Sequence, residues 1–214
     1  MGAALLLAMT AAATEVPQYE VYLGYDFVRF TPNSSFIPDF NANGGSGQFV
    51  YNFNKWIGGV VDAGAVNKGV LNGFNVDTTV VNFDAGPRFT FHHEGRFVPF
   101  VQVLFGGAYG TTSAHIAALV PPNPAAPSQP IFLPGGGISL VPGQAITARL
   151  VASTTGFSML AGGGVDIKIN KHIWFRPVEA DYYLTRIPNF VGNDTNQNNF
   201  RYSAGINFVL GQPK

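Results

Sequence analysis

From Gln18 onward, apolar residues return at every second position, the period of strands whose two faces meet different surroundings. Tyr19, Val21, Leu23, Tyr25 and Phe27 share one face of the first segment, and Glu20, Tyr22, Gly24 and Asp26 share the other. The second segment, about Gly45 to Asn54, sets Phe49, Tyr51 and Phe53 against Gln48, Val50 and Asn52. In the third, Ile57 to Val66, the residues Ile57, Val61, Ala63 and Ala65 oppose Gly58, Asp62 and Gly64. The fourth alternates Val81, Phe83, Ala85, Pro87, Phe89 and Phe91 with Asn82, Asp84, Gly86, Arg88 and Thr90.

The second half repeats the pattern. Segment five (about Phe97 to Tyr109) carries Pro99, Val101, Val103 and Phe105 on its apolar face, and segment six (Gly156 to Ile169) carries Phe157, Met159, Ala161, Val165 and Ile167. Segment seven (Ile173 to Thr185) opposes Trp174, Val178, Ala180, Tyr182 and Leu184 to Glu179, Asp181 and Tyr183. Segment eight (Phe200 to Leu210) opposes Tyr202, Ala204, Ile206, Phe208 and Leu210 to Arg201, Ser203, Gly205 and Asn207. Eight strands are predicted.

Charge is confined to one side of this alternation. The apolar faces carry a single charged residue, Arg176, near a strand end. The opposite faces hold Glu20, Asp26, Asp62, Asp84, Arg88, Asp166, Lys168, Glu179, Asp181 and Arg201. A water-soluble sandwich does the reverse, burying apolar faces and wetting charges. So many wide aromatic faces do not fit one small core. A closed, eight-stranded, antiparallel up-and-down β-barrel fits them, its outside against lipid and its inside polar. Glycines on the inner face suit it too, since eight strands leave room only for small side chains beside large ones.

The connections alternate in length. Those after segments two, four and six are short: Asn54 to Trp56, His92 to Arg96, and Asn170 to His172. Those after one, three, five and seven are longer: about Thr31 to Asn43, Asn67 to Val76, Gly110 to Thr155, and Arg186 to Asn199. Short periplasmic turns and long outer loops are the habit of outer-membrane barrels. Trp56 and Trp174 each follow a short turn, so both are expected in an aromatic belt at one membrane interface.

Composition narrows the field further. Charged residues are 11% of the 214, against roughly 25% in an ordinary soluble domain, and hydrophobic residues are 46%, so the chain is too apolar for disorder. A net charge of zero without a basic run leaves no footprint for nucleic acid. The absence of cysteine excludes disulfides and thiolate chemistry. Gly2 to Ala13 is an apolar, small-residue run ending in Ala11-Ala12-Ala13, which reads as a secretory signal over residues 1–13. A basic stretch ahead of it is missing, which leaves the true start open. One barrel domain is then expected over residues 14–214, with a Pro/Gly-rich outer loop at about 110–155.

The last strand, Ser203-Ala204-Gly205-Ile206-Asn207-Phe208-Val209-Leu210, is similar to the C-terminal signal read by the barrel-assembly machinery, with Ser203, Gly205, Phe208 and Leu210 in the signal positions. Gly162-Gly163-Gly164-Val165-Asp166 and Arg176-Pro177-Val178-Glu179-Ala180-Asp181-Tyr182 also match stretches of one group. On these residues the chain resembles the OmpA-like and opacity-type eight-stranded outer-membrane β-barrels. The resemblance implies the bacterial outer membrane, its lipid and the assembly machinery as surroundings. The motifs are architectural and imply no activity.

Candidate chemistry is sparse. The inner charges Glu20, Asp26, Asp62, Asp84, Arg88, Glu179, Asp181 and Arg201 are expected to form an interior polar network, since buried charges must pair or neutralise. Arg201 is expected to bridge Asp26 or Asp181. His92 and His93 adjoin in a turn, His172 lies in another and His115 in the long loop, so no metal or cofactor site is expected. Some barrels of this size modify lipid A acyl chains with a rim His and Ser, but His115 and Ser113 have no rigid third partner. Asp194 to Asn198 imitates a calcium loop yet puts Asn199 where Gly is required and Gly205 where Glu is. Ile131, Phe132 and Leu133 stand out as apolar residues within the Pro-rich outer loop and form a candidate protein-contact patch. A structural or surface-interaction, adhesion-like role follows, not that of a general porin. A narrow ion or small-solute channel, a lipid A-modifying enzyme and a soluble ligand carrier are the weaker alternatives.

Overall fold

The computed structural model describes residues 16–31, 39–69, 76–92, 95–119, 145–187 and 196–211. They form eight strands: β1 (Tyr19–Phe30), β2 (Phe40–Asn52), β3 (Ile57–Lys68), β4 (Val76–Thr90), β5 (Phe97–Leu119), β6 (Ala145–Lys168), β7 (Ile173–Arg186) and β8 (Asn196–Leu210). Each pairs antiparallel with the next, and β8 pairs with β1 to close the barrel. Closure leaves no sheet edge within the lipid, which hydrocarbon requires because it offers backbone groups no other partner.

Side-chain exposure follows the alternation. Phe83 is 65% exposed while Asp62, its neighbour across the β3–β4 pair by one residue, is fully buried. Val103 and Ile206 also face outward, and Asp84 faces inward. Apolar residues therefore form the outer wall and ionisable ones the lumen.

Several strands run longer at their outer ends than the alternation predicted. Strand β2 starts at Phe40 rather than near Gly45, β6 at Ala145 rather than Gly156, and β5 continues to Leu119 rather than Tyr109. The reason is a change of solvent. On the outer stretches of β1 and β2, Phe30, Phe40 and Ala42 point inward while Arg29, Asn41 and Asn43 point outward. Beyond the hydrocarbon the wall meets water, so the hydrophobic face moves inside and the membrane pattern ends. Within the expected 110–155 loop, residues 110–119 and 145–154 are thus paired strand, from Gly110↔Thr154 to Leu119↔Ala145.

Two short turns share one device. Asn54 Oδ1 accepts from the backbone N–H of Trp56 and Ile57 at 2.8 and 2.9 Å. Asn170 Oδ1 accepts from His172 and Ile173, both at 2.8 Å. The segments Asn54-Lys55-Trp56-Ile57 and Asn170-Lys171-His172-Ile173 differ in one residue, and in each an asparagine side chain stands in for a turn's missing backbone bond.

One expectation of the alternation is overturned on β7. The β6–β7 register shifts between Val165 and Ile167, and the β7–β8 register shifts between Arg176 and Glu179. Pro177 lies in that interval, a residue that cannot donate to a ladder and favours bulges. The extra residue inverts the faces, so Trp174 and Arg176 point into the lumen together with Glu179 and Asp181. Trp174 is 4% exposed and does not belong to the outer aromatic belt, whereas Trp56 is 46% exposed and sits on the outer surface against Phe91. The same slip removes the one charge from the apolar faces.

Candidate functional site

The lumen is a polar network in which all eight strands take part. Arg176 donates to both oxygens of Asp166 at 2.7 and 2.9 Å, to Glu179 at 2.6 Å and to Gln48 at 2.8 Å. Its guanidinium lies over the rings of Tyr22 (4.1 Å) and Phe100 (4.3 Å). Such planar stacking adds attraction where water is excluded. Arg88 also lies over Phe100 at 4.2 Å and donates to Gln102 at 2.6 and 3.0 Å and to Gln48. No carboxylate lies within ion-pair distance of Arg88 among the described residues. Glutamine oxygens carry it instead, and the amide N–H groups of Gln48 and Gln102 donate in turn to Glu179 at 2.8 and 2.7 Å.

Arg201 forms the second centre. It donates to both oxygens of Asp62 at 2.9 and 3.0 Å and to Asp181 at 3.1 Å, with Glu179 3.6 Å away. The expected bridge to Asp181 is present, but Asp26 is not its partner. Asp26 instead accepts from Ser46 at 2.9 Å and Ser203 at 2.6 Å. Asp84 accepts from Asn82 at 2.7 Å and from Ser158. Glu20 accepts from Asn52 and Asn207, both at 2.7 Å. All eight interior residues named from the sequence lie inside.

The sequence singled out the charges and missed what joins them. Gln48, Gln102, Asn82, Ser46 and Ser158 carry the links, and Arg176 belongs to the network. Pro177 within a strand is the signal that could have placed Arg176 inside. The amides give no signal of their own, since an inward Gln is read as filler until its partners are known.

Apolar clusters stop the lumen at both ends. Near the outer mouth, Phe30 stacks on Phe40 at 5.0 Å and meets the edge of Tyr183 at 6.4 Å, with Ile187 fully buried in the same cluster. At the periplasmic end Trp174 packs with Val98 and Val209. His92 stands beside this plug, 6.3 Å from the Trp174 ring. Its Nδ1 lies 3.0 Å from the Lys55 carbonyl, and its Nε2 has no hydrogen-bond partner and is 3.9 Å from Glu20. Burial pushes the His92 pKa below its ordinary value, and the nearby Glu20 carboxylate offsets only part of that.

Among the described residues, no group of three or more His, Asp or Glu is arranged to hold a metal. On β8, Ser203, Gly205 and Asn207 point inward and Phe208 and Leu210 outward. Ile131, Phe132 and Leu133 lie outside the described residues.

Above the membrane, the β5–β6 pair rises as a ribbon. Strand β4 flanks β5 only up to Val76↔Ala114, and β7 flanks β6 only from Phe157↔Arg186 inward. Among the described residues, Ala145 to Thr155 of β6 pair on one side alone.

A family model described as an outer membrane protein beta-barrel domain matches residues 1–208. Among solved structures, the chain is similar to Ail, the attachment invasion locus protein of Yersinia pestis, at 16% identity over 90% of this chain and 99% of that one, with a TM-score of 0.54. Neisserial surface protein A is similar at 12% identity over 90% and 97% of the two chains, with a TM-score of 0.52. At these identities the likeness is one of fold. No curated protein matches the sequence.

Proposed function

The chain belongs to the outer membrane protein β-barrel family of the bacterial outer membrane, and from that premise we propose that it is a non-enzymatic surface-contact protein whose working part is the β5–β6 ribbon. The observation that carries the reading is the ribbon itself, ten residue pairs from Gly110↔Thr154 to Leu119↔Ala145. At about 3.3 Å per residue it extends roughly 30 Å. Nothing in barrel closure needs such an extension, and loops held on rigid scaffolds are where binding residues concentrate.

The lumen supports the same reading from the other side. An eight-stranded interior is just wide enough to be filled by side chains, and here crossed ion pairs and two apolar clusters fill it. That weighs against a channel. His92 and His172 lie at the periplasmic end, and His115, on the outer side, stands in the β5–β6 ribbon opposite Arg149 rather than on the barrel rim where a lipid A-modifying pair would work. Ail is the attachment invasion locus protein of Yersinia pestis, and one of its structures is a complex with the heparin analogue sucrose octasulfate. This chain's case rests on its own ribbon.

The test replaces residues 112–152 by Asn-Gly, a two-residue turn suited to a hairpin, and checks that the barrel still shifts on a heat-modifiability gel. Cells displaying the full chain should adhere under flow to protein-coated glass, and cells displaying the shortened barrel should not. Equal adhesion by both would end the proposal. In planar bilayers neither form should give sustained single-channel steps.

A further inference from the structure

We propose that the periplasmic rim of the barrel binds anionic phospholipids of the leaflet around it, with Lys55 and Lys171 each holding a lipid phosphate. The site lies at the opposite end of the molecule from the ribbon and does not depend on it.

The two lysines occupy equivalent places in matched turns. Phe53 and Asn54 donate their backbone N–H groups to the Ile57 carbonyl at 2.9 and 3.2 Å, and Ile169 and Asn170 donate theirs to the Ile173 carbonyl, both at 3.1 Å. The Asn54 and Asn170 side chains brace the same turns from within. Each turn therefore holds its lysine at the tip, and both lysines are exposed. The β2–β3 and β6–β7 turns are four strands apart in a closed ring of eight, so Lys55 and Lys171 stand on opposite sides of the rim.

Depth decides what they meet. Lys55 Nζ lies 5.5 Å from the centre of the Trp56 ring, and Trp56 belongs to the lipid-facing wall, where Phe53, Ile57 and Phe91 are also exposed. The ammonium is thus set where acyl chains end and head groups begin, the level at which indole rings settle. Near Lys171 the wall is apolar as well, with Ile169 and Phe175 exposed. An apolar wall beneath a fixed ammonium fits a phospholipid, its chains along the wall and its phosphate at the lysine.

The sign of the charge selects the lipid. Among the described residues, the exposed charges at this end are Lys55, Arg96 and Lys171, and half-buried Lys168 lies 5.6 Å from the Trp174 ring. The carboxylates there, Glu20 and Asp166, are buried and hydrogen-bonded within the lumen network. By sequence Glu94 shares the β4–β5 turn with Arg96, so the sites are assigned to the other two turns. The outer end is mixed in sign: Arg29 pairs with Asp39 at 3.0 Å, and Asp77 and Arg186 are both exposed. A zwitterionic head group would bring its own ammonium against the lysines, whereas an anionic one brings only phosphate. One lysine close to an anionic surface favours it about fivefold.

Trp56 is the reporter for Lys55. The probes are brominated phosphatidylglycerol and brominated phosphatidylcholine, each diluted into liposomes of plain phosphatidylcholine, with Trp174→Phe leaving Trp56 as the only indole. Bromine quenches at contact, so the ratio of the two quenching efficiencies reads local enrichment and cancels any change in the indole itself. At low salt phosphatidylglycerol should be enriched about fivefold, and molar salt should bring the ratio towards one. Lys55→Gln should do the same at low salt, while Lys171→Gln should leave the ratio unchanged. The reciprocal reporter is the variant Trp56→Phe, Trp174→Phe, His172→Trp, whose indole takes the matched place in the other turn. Its enrichment should vanish with Lys171→Gln and survive Lys55→Gln. A heat-modifiability gel checks that every variant is a folded barrel.

Equal quenching by the two lipids at low salt would overturn the proposal. Enrichment that salt abolishes but neither glutamine substitution alters would replace the two sites with a diffuse surface potential. Loss of enrichment on adding millimolar glycerol phosphate, which has no chains to lie on the wall, would replace the lipid with a free phosphate.

Discussion

Arg201 on β8 grips Asp62 on β3 through two parallel hydrogen bonds of 2.9 and 3.0 Å, although β1 and β2 stand between their strands in the barrel wall. No backbone pairing links β3 to β8, so this fork ties together parts of the cylinder that the ladder joins only indirectly. Asp181 holds the same guanidinium from the β7 side. Breaking a buried pair by removing one partner is costly because the other charge is stranded, about 3–5 kcal/mol. Arg201→Met should therefore destabilise the barrel in micelles by that order, read as a lowered urea midpoint. The double variant Arg201→Met with Asp62→Asn should recover part of the loss. Unchanged unfolding in Arg201→Met would show that the bridge contributes nothing.

Two tryptophans follow short turns, yet only one faces lipid. Trp56 is on the outer surface, while Trp174 is packed against Val98 and Val209 with Lys168 5.6 Å from its ring. In liposomes of brominated lipid, the single-tryptophan protein Trp174→Phe should be strongly quenched because only Trp56 remains. Trp56→Phe should keep most of its emission. Equal quenching of both would return Trp174 to the membrane interface and remove the β7 bulge.

That pair also shows how far the sequence could be read. Strand number, closure and the inward allocation of Asp62 and Asp84 were legible because lipid imposes a strict alternation that Phe83 or Ile206 cannot escape. The faces of Trp174 and Arg176 were not, since one extra residue at Pro177 inverts everything before it and leaves no periodic trace. The outer reach of β5 and β6 was hidden for another reason. Once both faces meet water, Thr, Ser and Ala satisfy either side equally and period two disappears. Pairing partners such as Arg201 with Asp62 depend on tilt around the cylinder, which residue order along one strand does not specify.

His92 makes stability depend on pH. It lies beyond the end of β4 in the short turn, buried beside Trp174, and burial holds its pKa below the ordinary value near 6.5. The folded protein thus keeps the ring neutral where the unfolded chain would protonate it. Below about pH 6.5 the unfolded state binds the extra proton, so stability falls as pH falls, by up to about 1.4 kcal/mol per unit for one group. Above about pH 7 the residue adds no slope. Urea unfolding at pH 7.5, 6.5 and 5.5 should show this decline, and His92→Phe should flatten it. Identical slopes in the two proteins would assign the acid sensitivity elsewhere.

The closing seam depends on Gly205. It pairs with Gly24 across β8 and β1, and a Cβ built at Gly205 would come within 2.5 Å of the Gly24 Cα. Backbone cannot yield as a flexible side chain can, so Gly205→Ala forces the two strands apart where the barrel shuts. Overpacking of this kind costs about 1–3 kcal/mol. Gly107 is the matched control, because a Cβ there would meet only the Gly156 carbonyl, at 3.6 Å. Refolding from urea into detergent reads the difference without any assembly machinery, which matters because Gly205 also sits in the C-terminal signal pattern. Gly205→Ala should give a reduced fraction of heat-modifiable barrel and an earlier unfolding midpoint. Gly107→Ala should stay within about 0.5 kcal/mol of the parent, as surface substitutions do. If Gly205→Ala refolds as well as Gly107→Ala and fails only in cells, the glycine serves recognition during assembly rather than the fit of β8 against β1.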